Sequence, residues 1–309
     1  MTVKLKRIII LIITLSILIL VGGFSLHTYF NYSRPLILNK SQILLFIKTT
    51  DNISNGKAQI NWKQVVAVEC AKNENKISDL NKKDIESACL QFLENKTVDG
   101  HTVEGVKDFK TVLEGLNLTY LQNKKAYHNL EILKNISVVP QDLNNKKFIK
   151  ELKPAAIDIY EKYHILPSVV LAQTILESDW GKSYLTEKAN NMFGIKADKT
   201  WKGEKVNMRT KEDYDKKIKD EFRKYNTKSE SLEDYGKFLS QNKRYKENGV
   251  FKAKTYQQQT KAIENAGYST VADKHGNLIY ADLLSSIIRE NNLQLIDYEV
   301  EKKNFDKLS

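Results

Sequence analysis

The sequence predicts a mainly α protein: a helical lobe with a small β-hairpin lobe flanking a cleft, preceded by a helical module and an N-terminal transmembrane helix. Three observations predict it. Apolar residues recur at spacings of three and four through Trp62–Asn135, Phe148–Tyr163, Ser231–Leu239, Thr255–Glu264 and Leu278–Glu290. The stretch Trp201–Tyr225 loses that period and reads as the short hairpin. Ile8–Leu26 carries no charge and only small or weakly polar interruptions.

Taken in order, Lys4, Lys6 and Arg7 precede that apolar run. At 1.5 Å per residue the run approaches the ~30 Å hydrocarbon core of a bilayer. The positive flank predicts the N-terminus inside and the chain beyond residue 30 outside. A retained anchor (1–30) is the expectation, and a cleaved signal peptide competes with it. Residues 31–61, with Tyr32, Pro35 and the polar run Lys48–Lys57, read as a juxtamembrane tether. Residues 62–140 form a helical module that contains no metal-binding spacing, nucleotide loop or nucleophile motif. Ser137–Pro140 reads as a linker, 141–298 as the cleft-bearing domain, and 299–309 as a charged C-terminal tail. Within that domain Ser168 reads as a helix N-cap and Trp180-Gly181 as a stop.

Forty-nine basic against 38 acidic residues give a net charge of +11 spread along the chain, which favours anionic partners. No recognition motif supports nucleic acid. Outside a membrane Cys70 and Cys89 form a disulfide or stay as two buried thiols. The five histidines, His27, His101, His128, His164 and His275, are isolated, so neither a metal site nor a cofactor is expected.

The chemistry centres on Glu177, at the end of the apolar segment that starts at Pro167. Apolar surroundings and the negative end of a helix dipole both raise a carboxyl pKa. A neutral carboxylic acid facing a cleft is what protonation of a glycosidic oxygen requires. The competing reading is a structural glutamate paired with Lys182 or Lys196.

The residues around Glu177 also carry a resemblance. Ala172, Gln173, Leu176, Glu177, Ser178, Trp180 and Gly181 form A-Q-x-x-L-E-S-x-W-G, and Asn190, Asn191, Phe193, Gly194, Ile195 and Lys196 form N-N-x-F-G-I-K. With Trp201, Thr210–Glu212, Phe222-Arg223-x-Tyr225, Ser231-Leu232-x-Asp234-Tyr235 and Ala266-Gly267-Tyr268, residues 150–295 resemble the bacterial endo-β-N-acetylglucosaminidases of the flagellar-muramidase and autolysin type, glycoside hydrolase family 73.

The resemblance implies a lysozyme-like fold and hydrolysis of peptidoglycan at the β-1,4 bond after N-acetylglucosamine. Glu177 would be the general acid. Glu212 stands where the family's second acidic residue is expected, with Asp213, Asp215, Asp220 and Glu221 as competitors, and the substrate's own N-acetyl group is a further alternative. Tyr268 matches a tyrosine beside the cleft. Gln173, Trp180, Asn190, Asn191, Phe193, Trp201 and Tyr280 are expected to contact sugar. The loop Val271–Asn277 departs from the family pattern. Expected partners are glycan strands, the membrane through the N-terminal helix, and an unidentified membrane protein. A muramidase or lytic transglycosylase on the same fold, or a non-catalytic wall-binding protein, are the alternatives.

Overall fold

A computed structural model describes residues 3–140, 142–212 and 216–308, excepting the side chains at 3, 5, 8, 27, 28, 31, 79, 209–212 and 216–219. Helix α1 (Val3–Ser33) is long and apolar enough to cross a membrane: its window Ile9–Leu26 has a mean hydropathy of 2.8 and none of it is buried.

The expected tether is not one. After α1 the chain is held: Lys125 Nζ donates to the Tyr32 carbonyl at 3.1 Å, and Asn75 Nδ2 donates to the Arg34 carbonyl at 3.0 Å. A capping box of Asn39 and Gln42 then starts α2 (Lys40–Ser54). Phe46 and Ile47 of α2 join a core with α3 (Trp62–Lys72), α4 (Lys82–Phe92), α5 (Phe109–Gly115) and α6 (Tyr120–Leu133). The polar run that suggested a tether holds Thr49, Thr50, Asp51 and Ser54, all buried.

The helical reading of 62–135 also missed a hairpin. Strands β1 (Leu93–Val98) and β2 (His101–Val106) pair antiparallel around Asp99-Gly100, both at positive φ. Gly105 lies directly under the ring of Phe305, where any Cβ would collide with it. That ring belongs to α14 (Gln294–Asp306), which replaces the expected charged tail: Ile296, Val300 and Phe305 are buried.

The second core is built on α7 (Leu143–Tyr163), α8 (Pro167–Ser178), α10 (Lys228–Gln241), α12 (Tyr256–Asn265), α13 (Tyr280–Glu290) and α14, joined by the short α9 (Tyr184–Ala189) and α11 (Lys243–Glu247). Helix α8 is buried nearly all round and packs on α7, α12, α13 and α14. The hairpin lobe is present as β3 (Lys205–Glu212) and β4 (Lys216–Arg223). The mainly helical architecture with a small two-stranded lobe is thus as expected from the sequence.

The two cores share a polar seam. Tyr256 donates to buried Asp51, Trp62 Nε1 donates to Asn292 at 3.2 Å, Gln64 Nε2 donates to the Tyr298 hydroxyl at 3.1 Å, and Glu301 accepts the Gln59 N–H at 2.9 Å. Burial pushes Asp51 up to about 6 and Glu301 up to about 8. Cys70 and Cys89 are not joined. Both are buried, Cys89 Sγ lies 3.6 Å from Thr50 Oγ1, and burial pushes each thiol up to about 12.

Candidate active site

Helix α8 delivers Glu177, and the residues after it explain why its end has this sequence. Ser178 Oγ donates to the Thr174 carbonyl and accepts the Gly181 N–H at 2.8 Å. Asp179, Trp180 and Gly181 all take positive φ (48°, 58° and 77°), which turns the chain sharply away. Two non-glycine residues in this region carry strain, a common feature of functional sites. A Cβ at Gly181 would lie 2.7 Å from the Phe148 ring, so glycine is needed for space as well as for φ. Trp180 packs edge-on against that same ring at 5.9 Å. It packs against the helical core and is not among the residues lining the cleft with Glu177.

The start of α8 corrects the capping expectation. Its N-cap is Leu166, which has no side-chain acceptor. Instead Asp297, from α14, accepts the Ser168 N–H at 2.8 Å and the Ser168 hydroxyl. Burial pushes Asp297 up to about 7.

Glu177 opens onto a cleft of about 450 Å³ that is also lined by Phe193, Ile195, Arg223, Arg244 and Tyr268. The residue is solvent-accessible, yet desolvation of its carboxyl raises its pKa above the ordinary range, opposed by a hydrogen bond that Tyr280 donates to Oε1 at 2.6 Å. Among the described residues Lys196 pairs with Asp220, at 2.8 Å, rather than with Glu177. Tyr268 and Glu177 line the same cleft, and the Tyr268 ring stacks on Tyr280 at 5.5 Å.

Several expected sugar contacts have other work. Gln173 is fully buried; its Nε2 donates to the Tyr280 hydroxyl at 3.0 Å and its Oε1 accepts from Tyr235. Tyr280 is 2% exposed, behind the cleft wall. Asn191 spends its amide on the backbone of Ile195 and Arg223, at 2.8 to 3.1 Å. Asn190, at φ 50°, caps α9 and donates to the carbonyls of Tyr225 and Asn226. These asparagines fasten the β-lobe to the helical lobe. Phe193 does line the cleft and stacks on Tyr235 at 4.1 Å. Trp201 donates to the Glu204 carbonyl at 2.9 Å and lies under the Arg223 guanidinium at 4.7 Å, beside the cleft rather than in it.

The backbone of Glu212 ends β3, paired with Lys216, but its side chain lies outside the described residues, as do Asp213 and Asp215. Of the competing acids, Asp220 holds Lys196 and Glu221 holds Lys205. Reading the sequence missed Arg244, Tyr245 and Asp198 in the cleft wall. Arg244 stacks on Tyr245 at 4.8 Å and donates to the Gly267 carbonyl; Asp198 accepts from Arg223 and Thr200, which holds it below the ordinary carboxylate range. None is marked by spacing: Arg244 and Tyr245 sit on the short α11, and Asp198 on the segment before β3.

Comparison with known proteins points the same way. Residues 153–293 match the glucosaminidase family model, described as mannosyl-glycoprotein endo-beta-N-acetylglucosaminidase. The exo-glucosaminidase LytG of Bacillus subtilis is 41% identical over 158 residues, 48% of this chain and 52% of that protein. The peptidoglycan hydrolase FlgJ of Salmonella typhimurium is 34% identical over 183 residues, 56% of this chain and 54% of that protein. Among solved structures, the catalytic domain of the autolysin Auto from Listeria monocytogenes is 30% identical, covering 59% of this chain and 99% of that one, with a TM-score of 0.43. The chain spans about half the length of the curated relatives it matches. Through residues 153–293, the chain belongs to the glucosaminidase family.

Proposed function

We propose that this protein is a peptidoglycan hydrolase that cleaves the β-1,4 bond after N-acetylglucosamine in glycan strands, with Glu177 as general acid. The observation that carries the reading is the position of Glu177: at the end of a rigid, buried helix, open to a cleft, with desolvation raising its pKa. Desolvation at this position favours the protonated form, the form a general acid needs. Phe193 and Tyr268 line the cleft, which supports ring contact with pyranose C–H groups; we assign Tyr268 a hydrogen bond to the acetamido group or to water. Glu212 remains our candidate for the second group.

The test is digestion of purified peptidoglycan by the full chain in detergent, wild type beside Glu177→Gln, with mass analysis of the released ends. Reducing-end N-acetylglucosamine from the wild type alone supports the proposal. Reducing-end muramic acid or a 1,6-anhydro sugar would overturn the bond assignment in favour of a muramidase or lytic transglycosylase. Binding without products would favour the non-catalytic reading. The relatives' names include both exo and endo activity, so product length is the natural second readout.

We further infer that α1 is a retained anchor with the catalytic domain on the wall side, supported by its apolar window and its basic flank. Trypsin treatment of intact cells should then release fragments from beyond residue 34 only; their protection would refute the topology.

A further inference from the structure

We infer that Gln173 and Tyr235 are positioning residues that fix the direction of a buried hydrogen-bond relay, Tyr235 to Gln173 to Tyr280 to Glu177, and thereby place the catalytic proton of Glu177 on Oε2. This rests on the reading of Glu177 as the general acid.

The direction follows from the chemistry of an amide. One end of Gln173 only accepts and the other only donates. The Tyr235 hydroxyl donates to Oε1, and Nε2 donates to the Tyr280 oxygen at 3.0 Å. Tyr280 has one proton, and with its oxygen already accepting, that proton points to Glu177 Oε1, 2.6 Å away. A carbonyl-type oxygen accepts better than the acid's hydroxyl oxygen, so this bond favours Oε1 as the bare oxygen and disfavours it as the one that carries the proton. Tyr280 lies behind the cleft wall, so Oε1 is the oxygen turned inward and Oε2 is left for the substrate.

The reversed arrangement has a specific defect. With the amide flipped, Tyr280 would donate to Gln173 and accept from Glu177, drawing the acid's proton inward. Tyr235 would then meet a donor, and its own proton would lose its acceptor. Tyr235 has no exposed surface, is stacked under Phe193, and has Gln173 as the one hydrogen-bond partner of its hydroxyl among the described residues. A buried donor without an acceptor is costly, so Tyr235 sets the direction for the whole relay. Gln173 and Glu177 are four residues apart on α8, which puts the amide one turn behind the acid.

Other groups also act on Glu177. Tyr268 approaches from the loop after α12, and the cleft wall adds Arg244 and Tyr245 from α11, Lys196 and Asp198 from the segment before β3, and Arg223 from β4, with Asp220 on Lys196. Among the described residues the side chain of Gln173 hydrogen-bonds only Tyr280 and Tyr235, so Gln173→Met acts through the relay; Tyr235 also packs edge-on against Tyr268 at 6.4 Å, a ring contact that Tyr235→Phe keeps.

The experiment is the pH dependence of kcat/KM on soluble glycan fragments for the full chain and for Tyr280→Phe, Gln173→Met, Tyr235→Phe and the double variant Gln173→Met/Tyr280→Phe. Losing the bond donated to Oε1 removes stabilisation of the carboxylate. The Tyr280→Phe variant should therefore keep its proton to higher pH, moving the basic limb up by about one pH unit. Gln173→Met and Tyr235→Phe should move the limb the same way by less, and the double variant no further than Tyr280→Phe alone. An unmoved limb in Gln173→Met and Tyr235→Phe, or additive shifts in the double variant, would overturn the relay. Tyr235→Phe removes a single oxygen and covers the case in which Gln173→Met does not fold. If the wild type releases no products, the functional reading fails. The relay is then still decided by carbon NMR titration of the Glu177 carboxyl, assigned with Glu177→Gln, in the same variants.

Discussion

Replacing Asp297 with asparagine should remove a defined part of the pH dependence of stability. Asp297 is 1% exposed, and both of its oxygens accept from Ser168 at the start of α8. Burial pushes its pKa from 3.8 to about 7, against the opposing effect of the Ser168 bonds. In the unfolded chain the proton is lost near pH 4, whereas the folded chain holds it until near pH 7. Folding is therefore favoured by proton uptake at low pH, and that contribution declines as pH rises from about 4 to about 7. Roughly three units at 1.36 kcal/mol each give about 4 kcal/mol in all, of which about 3 kcal/mol falls between pH 5 and pH 8. Glu301, on the same helix, and Asp51, across the seam, tilt the curve in the same direction. Asparagine cannot ionise, and it can still accept the Ser168 N–H while donating to Oγ. Urea unfolding of the full chain in detergent, followed by tryptophan fluorescence at pH 5 and pH 8, measures the difference. Asp297→Asn should match the wild type within about 1 kcal/mol at pH 5, as the isosteric stand-in for the protonated acid. It should lose about 3 kcal/mol less on going to pH 8. An equal drop in both proteins would refute the assignment of that titration to Asp297.

Other outcomes follow from the site and the core. Glu177→Gln should lower kcat on peptidoglycan by 100-fold or more, roughly the contribution of a positioned general acid, with Tm no lower than wild type because a desolvated acid has been removed. Cys70 and Cys89, with thiols pushed up to about 12, should react with a thiol reagent only on unfolding, and mass spectrometry of the oxidised folded protein should find both free. Phe305→Ala should cost about 3 kcal/mol in urea unfolding, because the ring that covers Gly105 is 4% exposed and its loss opens a cavity under β2.

What the sequence revealed depended on how local its cause was. Glu177 stood out because a carboxylate closing an apolar helix is anomalous within a dozen residues. The β3–β4 lobe stood out because Trp201–Tyr225 lost helical period. The hairpin β1–β2 was hidden because Val103 and Val106 continued the three-and-four spacing, although Asp99-Gly100 carried the turn signal. Gln173 is the instructive error. A polar side chain on a buried helix reads equally as a ligand reaching into a cleft or as a satisfied core group. The partners that decide it, Tyr235 and Tyr280, arrive from 62 and 107 residues away. Asp297 is the same case from the other side: a cap for α8 that sits on α14, in a segment that looked like the approach to a charged tail.

The polar face of α2 hid the tether error in the same way, and it has a testable consequence. A chain beginning at residue 58 omits α2, which is harmless only if 31–61 is linker. In the folded protein that cut removes Phe46 and Ile47, buried to 1% and 0%, and strips Tyr256 of the Asp51 carboxylate that accepts its proton. Two large core side chains and one buried acceptor together amount to well over 5 kcal/mol, comparable to the whole stability of a typical domain. The loss is not confined to the N-terminal module, because Tyr256 opens α12, which packs on α8. A chain beginning at residue 34 keeps α2 and its capping box. It should unfold cooperatively, while the chain from 58 should aggregate or melt at least 15 °C lower. Equal melting of the two would mean that α2 is not part of the folded unit and would restore the tether. The expected result instead makes the module a mount: Lys125 and Asn75 hold the chain just beyond α1, and the seam holds the cleft-bearing domain to the module. Through these contacts, the reach of Glu177 from the end of α1 is set by the folded protein rather than by chain length.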